Sequence, residues 1–131
     1  MKNCTDIEQS KKLIELGIDV NTADMMWDDW SLIDEGWKLS VGYYPEIEKD
    51  YGRKCYPAWS LATLLDQLED VICDEEDNQW ELVIKKEGVQ YDLYYLIVYG
   101  DQENIELDRF YDDLIDCCVE MIYKLKEKDL L

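Results

Sequence analysis

The chain has 131 residues, with 32 Asp and Glu against 13 Lys and Arg, and a formal net charge of -19. A single-sign field of that size repels nucleic acid and anionic membrane and attracts basic proteins or cations. There is no His, which removes the commonest general base and metal ligand, and with them Ser-His-Asp, Cys-His and HExxH chemistry.

The acidic excess is concentrated. Residues 61–80 hold seven acids and no base, and residues 101–120 hold eight acids and only Arg109. Five Trp, ten Tyr and one Phe, with 47% hydrophobic residues, separate the chain from disordered acidic tails. Its length fits a single acidic α+β domain over residues 1–131, large enough to bury about two thirds of its unfolded surface. No apolar run approaches membrane-spanning length, and the start of the chain lacks the apolar core of a secretory signal, so a cytoplasmic location is expected. Cys4, Cys55, Cys73, Cys117 and Cys118 are an odd set, and side chains of the adjacent pair diverge on a helix, so reduced thiols are expected.

Along the chain, Thr5 and Glu8 form a capping-box pattern that opens a helix over 6–16, with Gly17 as its stop. The wording from Lys12 to Asn21 is similar to the end of an ankyrin repeat. It does not recur at about 33 residues, and a solitary repeat cannot bury its face. A short strand is expected at Asp24–Trp27, and Trp37, Leu39, Val41 and Tyr43 alternate as a half-buried strand over 36–44. The stretch from Pro45 to Pro57 reads as loop. Leu61, Leu64, Leu65, Leu68 and Ile72 then fall at helical spacing behind Ser60, predicting a helix to about residue 71. Trp80, Leu82 and Ile84 alternate, Lys86-Glu87-Gly88 turns, and Val89 to Tyr99 returns, which predicts a β-hairpin whose second strand is apolar on both faces from Leu93 to Val98. Leu107, Phe110, Tyr111, Leu114, Cys118, Met121, Ile122 and Leu125 form a stripe that predicts a long helix over 106–127. The expected fold is therefore α+β, with three helices packed on an antiparallel sheet of three to four strands including the hairpin. Its expected core includes Trp37, Leu39, Leu64, Trp80, Leu82, Leu93, Leu114 and Ile122.

Three segments carry a resemblance: Asn3 to Leu13 continuing to Ala23-Asp24-Met25, Tyr56-Pro57-Ala58-Trp59-Ser60-Leu61 with its following leucines, and Cys118-Val119-Glu120-Met121-Ile122. They resemble a group of short uncharacterised proteins carried by phages and mobile elements of gut bacteria. The resemblance covers about half the chain and leaves the acidic middle and the hairpin largely outside. It implies a mobile-element origin and a host-facing role, and it transfers no site residues.

Catalytic and cofactor motifs are missing. No Gly-rich phosphate cradle or nucleophile elbow occurs, and the spacing of the cysteines does not suit structural zinc. Asp74, Glu76 and Asn78 occupy positions one, three and five of a calcium loop, but Gln79 replaces the required Gly and Lys85 the terminal Glu. No cofactor, metal site or catalytic residue is therefore assigned. With 32 acids, some carboxylate pair always has glycosidase-like separation, so no pair is informative.

The expected function is that of a non-enzymatic interaction protein binding a basic host or phage protein, with carboxylates supplying on-rate and exposed aromatics supplying affinity. The candidate partner-binding residues are Asp108, Asp112, Asp116 and Glu120, then Asp74, Glu75, Glu76 and Asp77, and the aromatics Trp30, Tyr94 and Tyr99. Two alternatives stay open. One is a nucleic-acid mimic, because Asp108, Asp112, Asp116 and Glu120 at four-residue spacing would line one helix face about 5–6 Å apart. The other is a small enzyme using carboxylates or tyrosines. Direct nucleic-acid or membrane binding is opposed by charge, and composition does not address oligomeric state.

Overall fold

The computed structural model describes residues 2–31 and 36–131. Its elements are α1 (Ile7–Glu15), β1 (Met25–Asp29), β2 (Trp37–Val41), α2 (Glu46–Tyr51), β3 (Cys55–Ala58), α3 (Leu61–Gln67), β4 (Val71–Cys73), β5 (Gln79–Glu87), β6 (Gln90–Tyr99) and α4 (Leu114–Glu127). The class is α+β. Where one sheet and three helices are expected, the described residues form four α-helices and two antiparallel three-stranded sheets. The chain divides into two compact units, residues 3–63 and residues 64–131 together with the N-terminal arm.

In the first unit the strand order is β2-β1-β3. β1 is central, and alternation puts Met26 and Asp28 inside. β3 lies in the stretch expected to be loop. Pro57 disguised it: proline lacks the N–H a central strand needs, and β3 accommodates it as the edge of this sheet. The short helix α2 was hidden in the same stretch. α1 packs against β3. Its cap is Asp6 rather than Thr5: Asp6 accepts from Gln9 N at 2.8 Å while Gln9 Oε1 accepts from Asp6 N at 3.0 Å. Thr5 is buried instead, its hydroxyl 2.8 Å from Ser10 Oγ and accepting from Trp59 N at 3.1 Å, so it ties α1 to the strand end. The strand expected over 36–44 stops at Val41. Its Trp37 and Leu39 are only half-buried and Val41 is exposed, because β2 is an edge strand.

In the second unit the order is β4-β5-β6, a meander. The helix expected to reach residue 71 ends at Gln67, and Ile72 sits in β4, buried and paired with Trp80. Ser60 does not act as a simple cap, since its hydroxyl donates to Asp24 Oδ2 at 2.5 Å. The hairpin β5–β6 forms as expected, in register from Trp80↔Ile97 to Glu87↔Gln90, with a bulge at its far end that leaves Val98 unpaired. The long helix does not start at 106. Tyr95 and Ile105 exchange backbone hydrogen bonds of 2.9 Å, and Tyr91 N donates to Tyr111 O at 2.7 Å, so residues 105–111 are tied to the free edge of β6 by two isolated bridges with a bend at Asp108 and Arg109 between them. α4 begins at Leu114 behind Asp113, whose side chain accepts from Ile115 N at 2.9 Å. Lys2 clamps this helix start: its backbone N–H donates to Asp113 Oδ2 at 2.6 Å and its ammonium pairs with Asp116 at 2.7 Å.

Of the expected core, Leu64, Trp80, Leu93 and Ile122 are buried. Leu82 and Leu114 are only partly covered; of the stripe expected on α4, Cys118, Met121, Ile122 and Leu125 are buried, and Ile115 and Val119 join them, so the covered face is broader than expected and begins one residue after Leu114.

Candidate functional site

The topology of the second unit brings three acidic segments to one end. In a meander the β4–β5 turn and the end of β6 point the same way. Because residues 105–111 run back along β6, α4 starts at the opposite end and finishes beside them. A groove of about 600 Å³ results, lined by Asp74, Glu75, Glu76 and Gln102 with Lys128 and Asp129. Adjoining hollows extend it to Asp101 and Glu103 on one side and to Tyr99 on the other. Six acidic residues thus line this surface, with Lys128 as the one basic residue of the lining. The second unit with its N-terminal arm has twenty acids against seven bases, a net charge of -13, whereas the first has twelve against six, or -6.

Hydrogen bonds fasten the walls on both sides. Asp74 Oδ1 accepts from Glu76 N and Asn78 N, both at 2.9 Å, and its Oδ2 accepts from Asn78 Nδ2 at 2.8 Å. The Asn78 amide foremost among these bonds holds the Asp74 carboxyl below its usual range. Asp74 is therefore the staple of the turn, and Glu75 and Glu76 are its presented charges. Asp77 adopts the left-handed conformation, φ 65°, that lets the turn close. Opposite, Trp80 Nε1 donates to Glu103 O at 2.9 Å and Asn104 Oδ1 accepts from Ile97 N at 2.9 Å, fixing residues 101–104.

The other predicted acids are dispersed. Asp108 and Asp112 precede α4, so the four-residue row on one helix face does not form; only Asp116 and Glu120 are helical. Asp108 is paired with Lys124 at 3.2 Å and Asp116 with Lys2. Tyr94 is half-buried under Lys85, 5.6 Å from its ring, and Tyr99 is 66% exposed at the rim of the groove. Trp30 belongs to the first unit and is engaged there: Arg53 stacks 4.4 Å from its ring, Lys38 lies 5.4 Å away, and its Nε1 donates to Asp28 Oδ2 at 3.0 Å.

Asp101, Glu103 and Asp129 were missed as groove residues. Gly100 was the available signal, since a glycine closing β6 returns the chain toward the β4–β5 turn. Cys4, Cys55, Cys117 and Cys118 are buried and Cys73 is exposed; none of the five is in a disulfide. Burial pushes the thiols of Cys117 and Cys118 up to about 11 and about 12, far from nucleophilic character at neutral pH. Among the described residues no group of three or more Cys, Asp or Glu side chains is placed to hold a metal, and no helix is long and apolar enough to cross a membrane.

No family model matches this chain, and no curated protein or solved structure shows significant similarity to it.

Proposed function

We propose that the protein is a non-enzymatic acidic interaction protein that engages a basic protein partner through the groove at the β4–β5 turn. The observation that carries this reading is that six acidic residues from three chain segments line one concave surface that holds a single lysine. Such a surface offers little to an anionic ligand. It accelerates encounter with lysine- and arginine-rich surfaces and selects for them. A cytoplasmic setting suits cysteines that form no disulfide. A mobile element acting on a host protein is the context that the sequence resemblance supplies. Nucleic-acid mimicry has less to stand on, because only Asp116 and Glu120 of its four carboxylates lie on the helix.

The test is binding of a fluorescent decalysine peptide to wild type and to a variant carrying Glu75→Gln, Glu76→Gln, Asp101→Asn and Glu103→Gln. We expect the variant to keep its melting temperature, bind at least tenfold more weakly at low salt, and show a shallower salt dependence. Equal binding by both proteins would show that the groove charge serves only solubility.

A further inference from the structure

The sheet β4-β5-β6 has one face packed beneath α4, with Ile72, Trp80, Leu93 and Tyr95 buried. Alternation assigns the next residues to the other face. There the register aligns Val71, Glu81 and Leu96 in one row across the three strands, with Val83 and Tyr94 in the next. Val71 and Leu96 are 44% and 38% exposed. These are β-branched and large apolar side chains held in water by strand periodicity alone. The row at the end of the sheet, Cys73, Gln79 and Tyr99, leads directly into the acidic groove, since Cys73 and Tyr99 line both surfaces.

Glu81 stands between Val71 and Leu96 and makes no ion pair or side-chain hydrogen bond among the described residues. A lone carboxylate within an apolar row suits an apolar surface that carries one cation.

We propose that this open sheet face seats an amphipathic basic α-helix of the partner, its apolar side on Val71, Val83 and Leu96, beside the Tyr94 ring that Lys85 already covers, and one lysine or arginine meeting Glu81. The proposal deepens the reading of the groove as a site for a basic protein and rests on it. Dimensions agree with this occupant. Three strands about 4.8 Å apart make a bed about as wide as the roughly 10 Å diameter of a helix. The stretch from Tyr94 to Tyr99 rises about 17 Å, the length of a helix of about 11 residues. A helix on this face would give the sheet a second covering layer, the usual way in which a two-sided apolar sheet is completed. Charge selects a basic helix: the unit's net charge of -13 works against an acidic one and against a second copy of this chain.

The experiment uses two peptides of about 11 residues with identical Leu and Lys composition, one with Leu at i, i+3, i+4 and i+7 around a central Lys, the other scrambled. Fluorescence anisotropy against the full chain should give at least tenfold tighter binding for the ordered peptide. The pair Val71→Ser and Leu96→Ser should abolish that preference, and Glu81→Gln should weaken only the ordered peptide. Backbone amide shifts in the wild-type chain provide a readout independent of any variant: Val71, Glu81, Val83 and Leu96 should move. Equal affinity for both peptides, or a preference that survives the double serine variant with these amides unmoved, overturns the docking face and leaves the acidic groove standing. Failure of both peptides to bind wild type at low salt overturns both readings.

Discussion

Asn78 and Gly100 approach so closely that no side chain fits between them: a Cβ on Gly100 would stand 1.9 Å from Asn78 Oδ1. Asn78 is buried and held by Asp74, so it cannot swing away cheaply, and Gly100 has φ 112°, which L side chains avoid. Gly100→Ala should therefore cost about 1–3 kcal/mol in denaturant unfolding. It should also loosen the groove, lowering affinity for decalysine beyond what the unchanged net charge would suggest. A stability change under about 0.5 kcal/mol would mean that this contact does not hold the two walls together.

In the first unit, Asp28 accepts from Arg53 Nε at 3.1 Å and Nη2 at 3.0 Å, with side chains only 7% and 16% exposed. Removing one partner strands a buried charge. Arg53→Met should lower the denaturation midpoint, and adding Asp28→Asn should recover much of the loss. A double variant no better than the single one would place the cost in lost stacking on Trp30 and Tyr51.

Thiol chemistry should be selective. In native protein at pH 8, Cys73 should be the cysteine that reacts with a disulfide reagent, while Cys4, Cys55, Cys117 and Cys118 react only on unfolding. Mass spectrometry of the labelled peptides reads the outcome directly, and rapid labelling of Cys118 would contradict its burial. Because the Cys117 and Cys118 pKa values are raised from 9.0, their contribution to stability is complete below about pH 9 and falls away as pH rises toward 11 and 12.

The acid side turns on Asp24. Partial burial raises its pKa, but hydrogen bonds from the Ser60 hydroxyl and backbone N–H and from Thr63 outweigh this and lower it below 3.8. A lowered carboxyl stabilises the fold fully above its unfolded pKa and loses that contribution as pH falls through the folded one. Asp24→Asn should cost about 1–2 kcal/mol at pH 7 and flatten the decline in stability below pH 4. An unchanged acid limb would remove Asp24 from its causes.

By itself the sequence determined the features that depend on local repetition: the β5–β6 hairpin, the α1 and α4 stripes, and the acidic balance that points toward a basic partner. Alternation at Trp80, Leu82 and Ile84 needs no distant partner to be read, because side-chain period and strand geometry coincide. Tertiary structure decided where neighbours compete for the chain. Residues 105–111 have helical spacing, yet the open edge of β6 captures their backbone at Ile105 and Tyr111 and keeps them out of the helix. That choice dissolved the expected carboxylate row and sent α4 back so that Asp129 meets Glu75 and Glu76. Pro57 likewise marks loop in isolation and becomes strand only because an edge needs no N–H there. The charge was legible from composition, but its gathering into a groove was set by strand order, since carboxylates far apart in sequence are brought together only by the pairing of distant backbone.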